Sequence, residues 1–282
     1  MAVCRDSCRI CAGCVKMAEL KFSYGMEINF SNPVEAHHFT LKCVPSSRGC
    51  QKISELRTEI FPVGEIGRVA DSFGNICLYG SRLFPHDLFS VHVEGIATTG
   101  LERESVREDR FLSLYRMPTK LVCPGPFIHA IHAGLPEFSG NRDSWHERAL
   151  LIMDAVRRAL IYEKGSTTSA TSAESAAASG HGVCQDFAHL MLALLRQDSI
   201  ACRYVCGLMQ GEGESHAWVE VPVCGRWHGF DPTNGCETGE DYAVISVGRD
   251  ASDCAINRGI YRNEAVQRIH ICASLAGVNK DQ

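Results

Sequence analysis

The sequence predicts a two-part protein of mixed helix and strand, with a β-rich segment over residues 17–117 and a helix-then-strand segment over 118–282. Three observations predict it. Apolar residues alternate with polar ones in several short runs before residue 100, apolar residues recur at helical spacing around 145–159 and 187–195, and a second set of strand-like runs follows residue 200. The 282 residues are enough for one large domain or two modest ones, each with its own core.

In the first segment Phe89, Val91 and Val93 alternate with Ser90, His92 and Glu94, the period of a half-buried strand, and Gly95 then suggests a bulge. Leu20–Phe30, His38–Val44, Ile53–Phe61 and Ile76–Tyr79 read the same way. Turn formers separate them at Asn32-Pro33, Pro45-Ser46-Ser47 and Asp71 to Asn75, which suggests a small sandwich-like β domain. A proline- and glycine-rich stretch, 118–139, bridges to the second segment. There Asp143 or Ser144 can cap a helix whose Trp145, Ala149, Ile152, Val156 and Ala159 share one face. Arg157 and Arg158 suit its negative end. Residues 165–180 fit a low-complexity linker or a short alanine-rich helix starting near Thr171 or Ser172, with composition favouring neither.

The clearest element is a helix with Phe187, Leu190, Met191, Leu194 and Leu195 on one stripe. Gly180-His181-Gly182 forces a turn before it, so Cys184 falls in its first turn. Cys202–Leu208, His216–Val221 and Trp227–Phe230 then read as strands.

Composition narrows the function. Apolar residues make up 45 % and charged residues 22 %, which excludes a disordered chain. The net charge of −5 argues against a general nucleic-acid binder, which needs a basic surface to neutralise phosphates. There is no membrane-spanning run and no secretory signal, so a cytoplasmic protein is expected. The fifteen cysteines are an odd number, so they cannot all pair; in a reducing compartment most are buried apolar side chains.

Cys184 has the placement a thiol nucleophile needs. A helix N-terminus stabilises a thiolate and offers N–H groups to an oxyanion. His216 opens one strand and Asp231 closes the next, so antiparallel pairing would set the imidazole beside the carboxylate, with the other ring nitrogen toward the thiol.

The string Gly180-His-Gly-Val-Cys184-Gln-Asp-Phe-Ala-His189 resembles the nucleophile motif of the transglutaminase-like superfamily, in its bacterial cysteine-peptidase-like branch. Ala201 to Gly207, Ser215 to Glu220, Trp227 to Asn234, and Val247 to Asp250 with Asp253 continue the likeness in order. The β segment resembles the small domain that precedes the core there, so the likeness runs from about Leu20 through nearly the whole chain.

The resemblance implies an α+β, papain-like transglutaminase core behind a small β-sandwich-like domain. Cys184 is then the nucleophile, His216 the base and later the acid, and Asp231 its orienter. The Cys184 N–H is one oxyanion donor, Gln185 and Trp145 are candidates for the second, and Asp186 and Asn234 are supporting positions. The expected reaction is cleavage of amide bonds in a peptide or protein substrate. Transfer from glutamine to an amine is the alternative, and a non-catalytic binding protein on the same fold is the rival. Calcium-dependent members carry acidic loops, whereas Glu212, Glu214, Glu237, Glu240 and Asp241 are scattered and read as solvated, so no metal and no cofactor is expected.

Cys4, Cys8, Cys11 and Cys14 begin with the Cys-x3-Cys-x2-Cys spacing of the iron–sulfur loop in radical S-adenosylmethionine enzymes, and such thiolates can also hold zinc. That loop should follow a strand, and only three residues precede Cys4, so residues 1–16 read as a disordered leader.

Overall fold

The computed structural model describes residues 16–109 and 111–278; Cys4, Cys8, Cys11 and Cys14 lie outside them. The first segment forms β1 (Ala18–Leu41), β2 (Lys52–Phe61), β3 (Ile66–Ala70), β4 (Ile76–Arg82) and β5 (His86–Thr99). Leu20, Phe22, Tyr24, Met26, Ile28 and Phe30 are buried at alternate positions of β1, as the period of two requires. The first half of β1 pairs antiparallel with β5, and its second half pairs antiparallel with β4. Both halves bury their side chains in one cluster, so Phe22 and Phe89 share a core with Phe39 and Leu78.

Two local expectations are corrected. Asn32-Pro33 does not end the strand. Proline cannot donate to a ladder, so pairing slips register between Asn29 and Val34 while the chain runs on, held by the core on both sides. Nor does Gly95 form the bulge. Its pairing with Phe22 is regular, and the irregularity lies opposite it in β2, between Ser54 and Arg57, where Glu55 has φ +53°. A Cβ on Gly95 would meet the Phe22 ring at 2.9 Å and the Ser54 carbonyl at 3.0 Å, so close approach is what favours glycine there.

The second segment contains α1 (Pro126–Ala133), α2 (Trp145–Ala159), β6 (Ile161–Tyr162), α3 (Ala173–Ser179), β7 (His181–Gly182) and α4 (Cys184–Gln197). Ser144 is the N-cap residue of α2 but makes no side-chain cap bond; Asn141 caps the short 3-10 turn leading into it. The alanine-rich stretch is helical. The Ser172 hydroxyl accepts from Ser175 N–H at 3.1 Å, and Ala173 and Ala176 are fully buried. Glu174 is the reason this helix docks. Its carboxylate accepts the N–H groups of Gly125, Phe127 and Ile128, capping the start of α1 with a charge of the right sign. The α4 helix is buried along nearly its whole length and packs on α1, α2 and α3.

The remaining strands are β8 (Arg203–Met209), β9 (Gly211–Gly213), β10 (His216–Val223), β11 (Arg226–Asp231), β12 (Cys236–Glu237), β13 (Tyr242–Gly248), β14 (Asn257–Arg262) and β15 (Gln267–Gly277). Among the described residues a five-stranded antiparallel sheet has the order β12-β11-β10-β8-β13. Ala217, Val219 and Val221 of β10 face α4 in its core.

A partition at 117/118 puts β14 and β15 with the second segment. They return instead to β1, pairing antiparallel with it (Leu20 opposite Gly277, Leu41 opposite Asn257), because each half of β1, paired on one edge with β5 or β4, offers its other edge to a returning strand. β9 then joins β15, so the loop ahead of His216 is stitched to the first sheet. The outer edge of β13 is closed by two side-chain amides. Gln51 exchanges a pair of 2.7 Å bonds with the Val244 backbone, and Asn75 a pair of 2.8 Å bonds with Val247.

No helix among the described residues is long and apolar enough to cross a membrane.

Candidate active site

Cys184 is the first residue of α4, and the turn before it is built to put it there. Gly180 ends α3 in the left-handed region (φ +72°), where its N–H closes on the Ala176 carbonyl at 2.9 Å. β7 pairs in parallel with β6, and Val183 follows as N-cap. Asp186, three residues into the helix, reaches back to accept the Val183 N–H at 2.8 Å and the Thr167 hydroxyl at 2.6 Å. Burial pushes its carboxyl above the usual range, and these two donors oppose the rise. A Cβ on Gly182 would stand 2.6 Å from the Asp186 Cβ, so only glycine lets the carboxylate close this turn. Asp186 therefore supports the helix start. The Cys184 N–H is among the first-turn groups that have no partner inside the helix.

His216 opens β10, and its Nε2 lies 2.7 Å from Asp231 Oδ2. The Cys184 thiol faces the same ring across the cleft, and with Nε2 engaged by the carboxylate, Nδ1 is the nitrogen left for sulfur. Burial by itself would lower the His216 pKa; the bonds to Asp231 and then Cys184 outweigh it, and the imidazole is pushed up to about 9. Asp231 is fully buried yet stays below the usual carboxylate range. Burial raises it, and the bond from His216 and the donors around it overcome that. Asn234 Nδ2 and the Tyr242 hydroxyl donate to Oδ2 at 2.7 and 2.8 Å, while the N–H groups of Thr233 and Asn234 donate to Oδ1 at 2.9 and 3.1 Å. Charge-assisted bonds of this kind hold both the charge and the orientation of a carboxylate.

The structure thus brings together Cys184, His216 and Asp231, with Asn234 behind them. It does not bring in the two candidates for a second oxyanion donor. The Gln185 side chain turns to the Ser169 carbonyl at 3.5 Å. Trp145 is buried in the helical core, with the Arg142 guanidinium above its ring, and neither residue lines the cleft. Glu237, read from sequence as solvated, is exposed and also pairs with two histidines, because β12 folds back against β11 and α2.

Tyr242 is the residue that sequence reasoning missed. An aromatic at a strand start reads as core, and no local signal tells that β13, three places from β11 in the sheet, delivers a hydroxyl to Asp231. Tyr242→Phe is expected to cost about 2 kcal/mol in urea denaturation, since it removes a bond to a buried charge, and to lower turnover less than loss of Asp231 itself. Unchanged stability would show that the remaining donors suffice.

Cys184 and His216 line a cleft of about 380 Å³, in the range of ligand sites. Tyr162 and Lys164 form one wall, residues 208–215 another, and Ala273 and Ser274 of β15 contribute from the first sheet.

Comparison with known proteins agrees with this architecture. Residues 135–232 match the transglutaminase-like superfamily, and residues 20–98 match the bacterial transglutaminase-like N-terminal region. An uncharacterised Mycobacterium leprae protein is 27 % identical over 264 residues, covering 87 % of this chain and 94 % of its own. An uncharacterised Mycobacterium tuberculosis protein is 37 % identical over 115 residues, 35 % of this chain and 37 % of its own. The crystal structure of a candidate cysteine protease from Cytophaga hutchinsonii superposes with a TM-score of 0.73 at 21 % identity, covering 95 % of this chain and 93 % of that one, and so shares the fold. The chain thus carries a transglutaminase-like core over residues 135–232 and, ahead of it, a bacterial transglutaminase-like N-terminal region over residues 20–98.

Proposed function

We propose that this protein is a thiol-dependent amidase that cleaves amide bonds of peptide or protein substrates through an acyl intermediate on Cys184. The observation that carries the reading is the His216 ring, held by Asp231 at 2.7 Å on one nitrogen, with Cys184 beside it in the same cleft at the head of α4. Cys184 Sγ attacks the substrate carbonyl as its proton passes to His216, and the oxyanion is met by the Cys184 N–H. His216 then gives that proton to the departing amine, leaving a thioester. The same nitrogen next takes a proton from water, whose oxygen attacks the thioester carbonyl; the proton passes to sulfur and the acid leaves. Asp231 stays ionised throughout and holds the ring.

Water is the acceptor we favour, because Cys184 is only half-buried and its cleft opens to solvent. Cys43, Cys202, Cys206 and Cys254 are buried free thiols, which suits a reducing compartment such as the cytoplasm. The test is incubation with a labelled peptide library and a glutamine peptide, with and without a primary amine. Free new termini or released ammonia support hydrolysis, an amine adduct would replace it by acyl transfer, and neither product with any substrate would leave a binding protein on the same fold.

A further inference from the structure

On the face of the five-stranded sheet that packs against α2, away from the cleft, three side chains distant in sequence meet. His146 comes from the second position of α2, His228 from the middle of β11 and Glu237 from β12. His146 Nε2 lies 3.1 Å from Glu237 Oε2, and His228 Nε2 contacts the same oxygen. One ligand atom from each residue falls within a group whose members are all within 4.8 Å of one another. The two rings stand nearly perpendicular, at 88° with centroids 5.3 Å apart, and the Phe230 ring packs against both.

Both histidines are only 9 % exposed, and His146 Nε2 is buried without a hydrogen bond despite lying beside the carboxylate. A buried polar atom left this way costs stability. Two buried imidazoles and a carboxylate that converge in this way present ligand atoms to a cation.

We propose that His146, His228 and Glu237 bind one divalent transition-metal ion, with zinc the foremost candidate. Two imidazole nitrogens and one carboxylate oxygen are a zinc donor set, and bonds of roughly 2.0–2.2 Å to a tetrahedral ion place ligand atoms a little over 3 Å apart. Calcium and magnesium ask for more oxygens than these residues offer. Glu237 is 37 % exposed at its side chain, so a water can complete the coordination from solvent. The ion would tie the start of α2 to the β11–β12 hairpin. Asp231 ends β11 and its turn leads into β12, so the site would steady the carboxylate that orients His216. Metal binding itself stands independently of the catalytic reading.

The experiment uses the full chain, stripped with a chelator and titrated with Co²⁺ and Zn²⁺. The chain's many thiols also bind these ions, so the signature is the visible d–d absorption of cobalt on nitrogen and oxygen ligands, without thiolate-to-metal charge transfer. Wild type is expected to show this band and to take up one equivalent more than His228→Ala. Zinc should also raise the wild-type Tm and leave that of the variant unmoved. Should His228→Ala fail to fold, Glu237→Gln at the exposed ligand is expected to weaken cobalt binding at least tenfold with an unchanged circular dichroism spectrum. Equal metal uptake by wild type and a folded variant, or cobalt spectra showing thiolate ligation alone, would overturn the site.

Discussion

Cys184→Ala is expected to abolish turnover, lowering kcat by a factor on the order of 10⁴–10⁶ as seen when a nucleophile is removed from a linked triad, while the fold is kept. The substitution deletes one half-buried sulfur at the edge of the helical core and leaves the N-cap turn, Asp186 and the α4 stripe untouched. Circular dichroism and Tm should therefore stay near wild type. The same residue should be alkylated first by iodoacetamide near pH 6. Cys184 stands at a helix start beside a histidine and lines an open cleft. Burial pushes Cys43, Cys50 and Cys206 up to about 12 and Cys202 up to about 11, so those thiols should react slowly. An alanine variant that keeps a tenth of the wild-type rate would take Cys184 out of the chemistry.

The second large effect is expected from Asp231→Asn, with kcat falling on the order of 10³–10⁴. The amide would present an NH₂ group to a pocket of five donors, and the ring of His216 would lose the charge that fixes its protonation and tautomer. Stability should change with a definite pH profile. The folded His216 pKa, about 9, lies above its unfolded value near 6.5. Its contribution is therefore fully present below about 6.5 and is lost as pH rises through about 9. Asp231 is shifted the other way, so its contribution is present above the ordinary carboxylate range and is lost as pH falls through its lowered pKa. Wild type should exceed Asp231→Asn most between about pH 5 and 6.5. The His216 part of that gap, at most about 3 kcal/mol for a shift of this size because Cys184 also raises the ring, should close by pH 10. Urea denaturation at pH 6, 8 and 10 measures it; a gap that stays constant would mean that the ring and carboxylate are not coupled as described.

Much of this site is local in origin and therefore legible in the chain. The stripe of Phe187, Leu190, Met191, Leu194 and Leu195 announces a helix, the glycines before it announce a turn, and together they put Cys184 at a helix start. The alternation in 20–30 and 89–93 reports strands for the same reason, since a side chain's face follows from its place in the period. The meeting of His216 with Asp231 needed only that two short strands joined by a tight turn pair with each other.

Other features were decided by partners far away in the sequence. Composition left residues 165–180 between linker and helix; the Glu174 carboxylate reaching the α1 start and two buried alanines settled it. Periodicity says that β14 and β15 have a face to bury but not that β1 will receive them. Tyr242, the amides of Gln51 and Asn75, and the trio His146, His228 and Glu237 each look ordinary where they stand in the chain. Local pattern records which side of an element avoids water, whereas the identity of what waits on that side is fixed only when the loops close and distant elements pack. That is why the helix start at Cys184 and the pairing of His216 with Asp231 could be read from the chain, while the hydroxyl behind the aspartate and the cluster beside α2 could be read only from the fold.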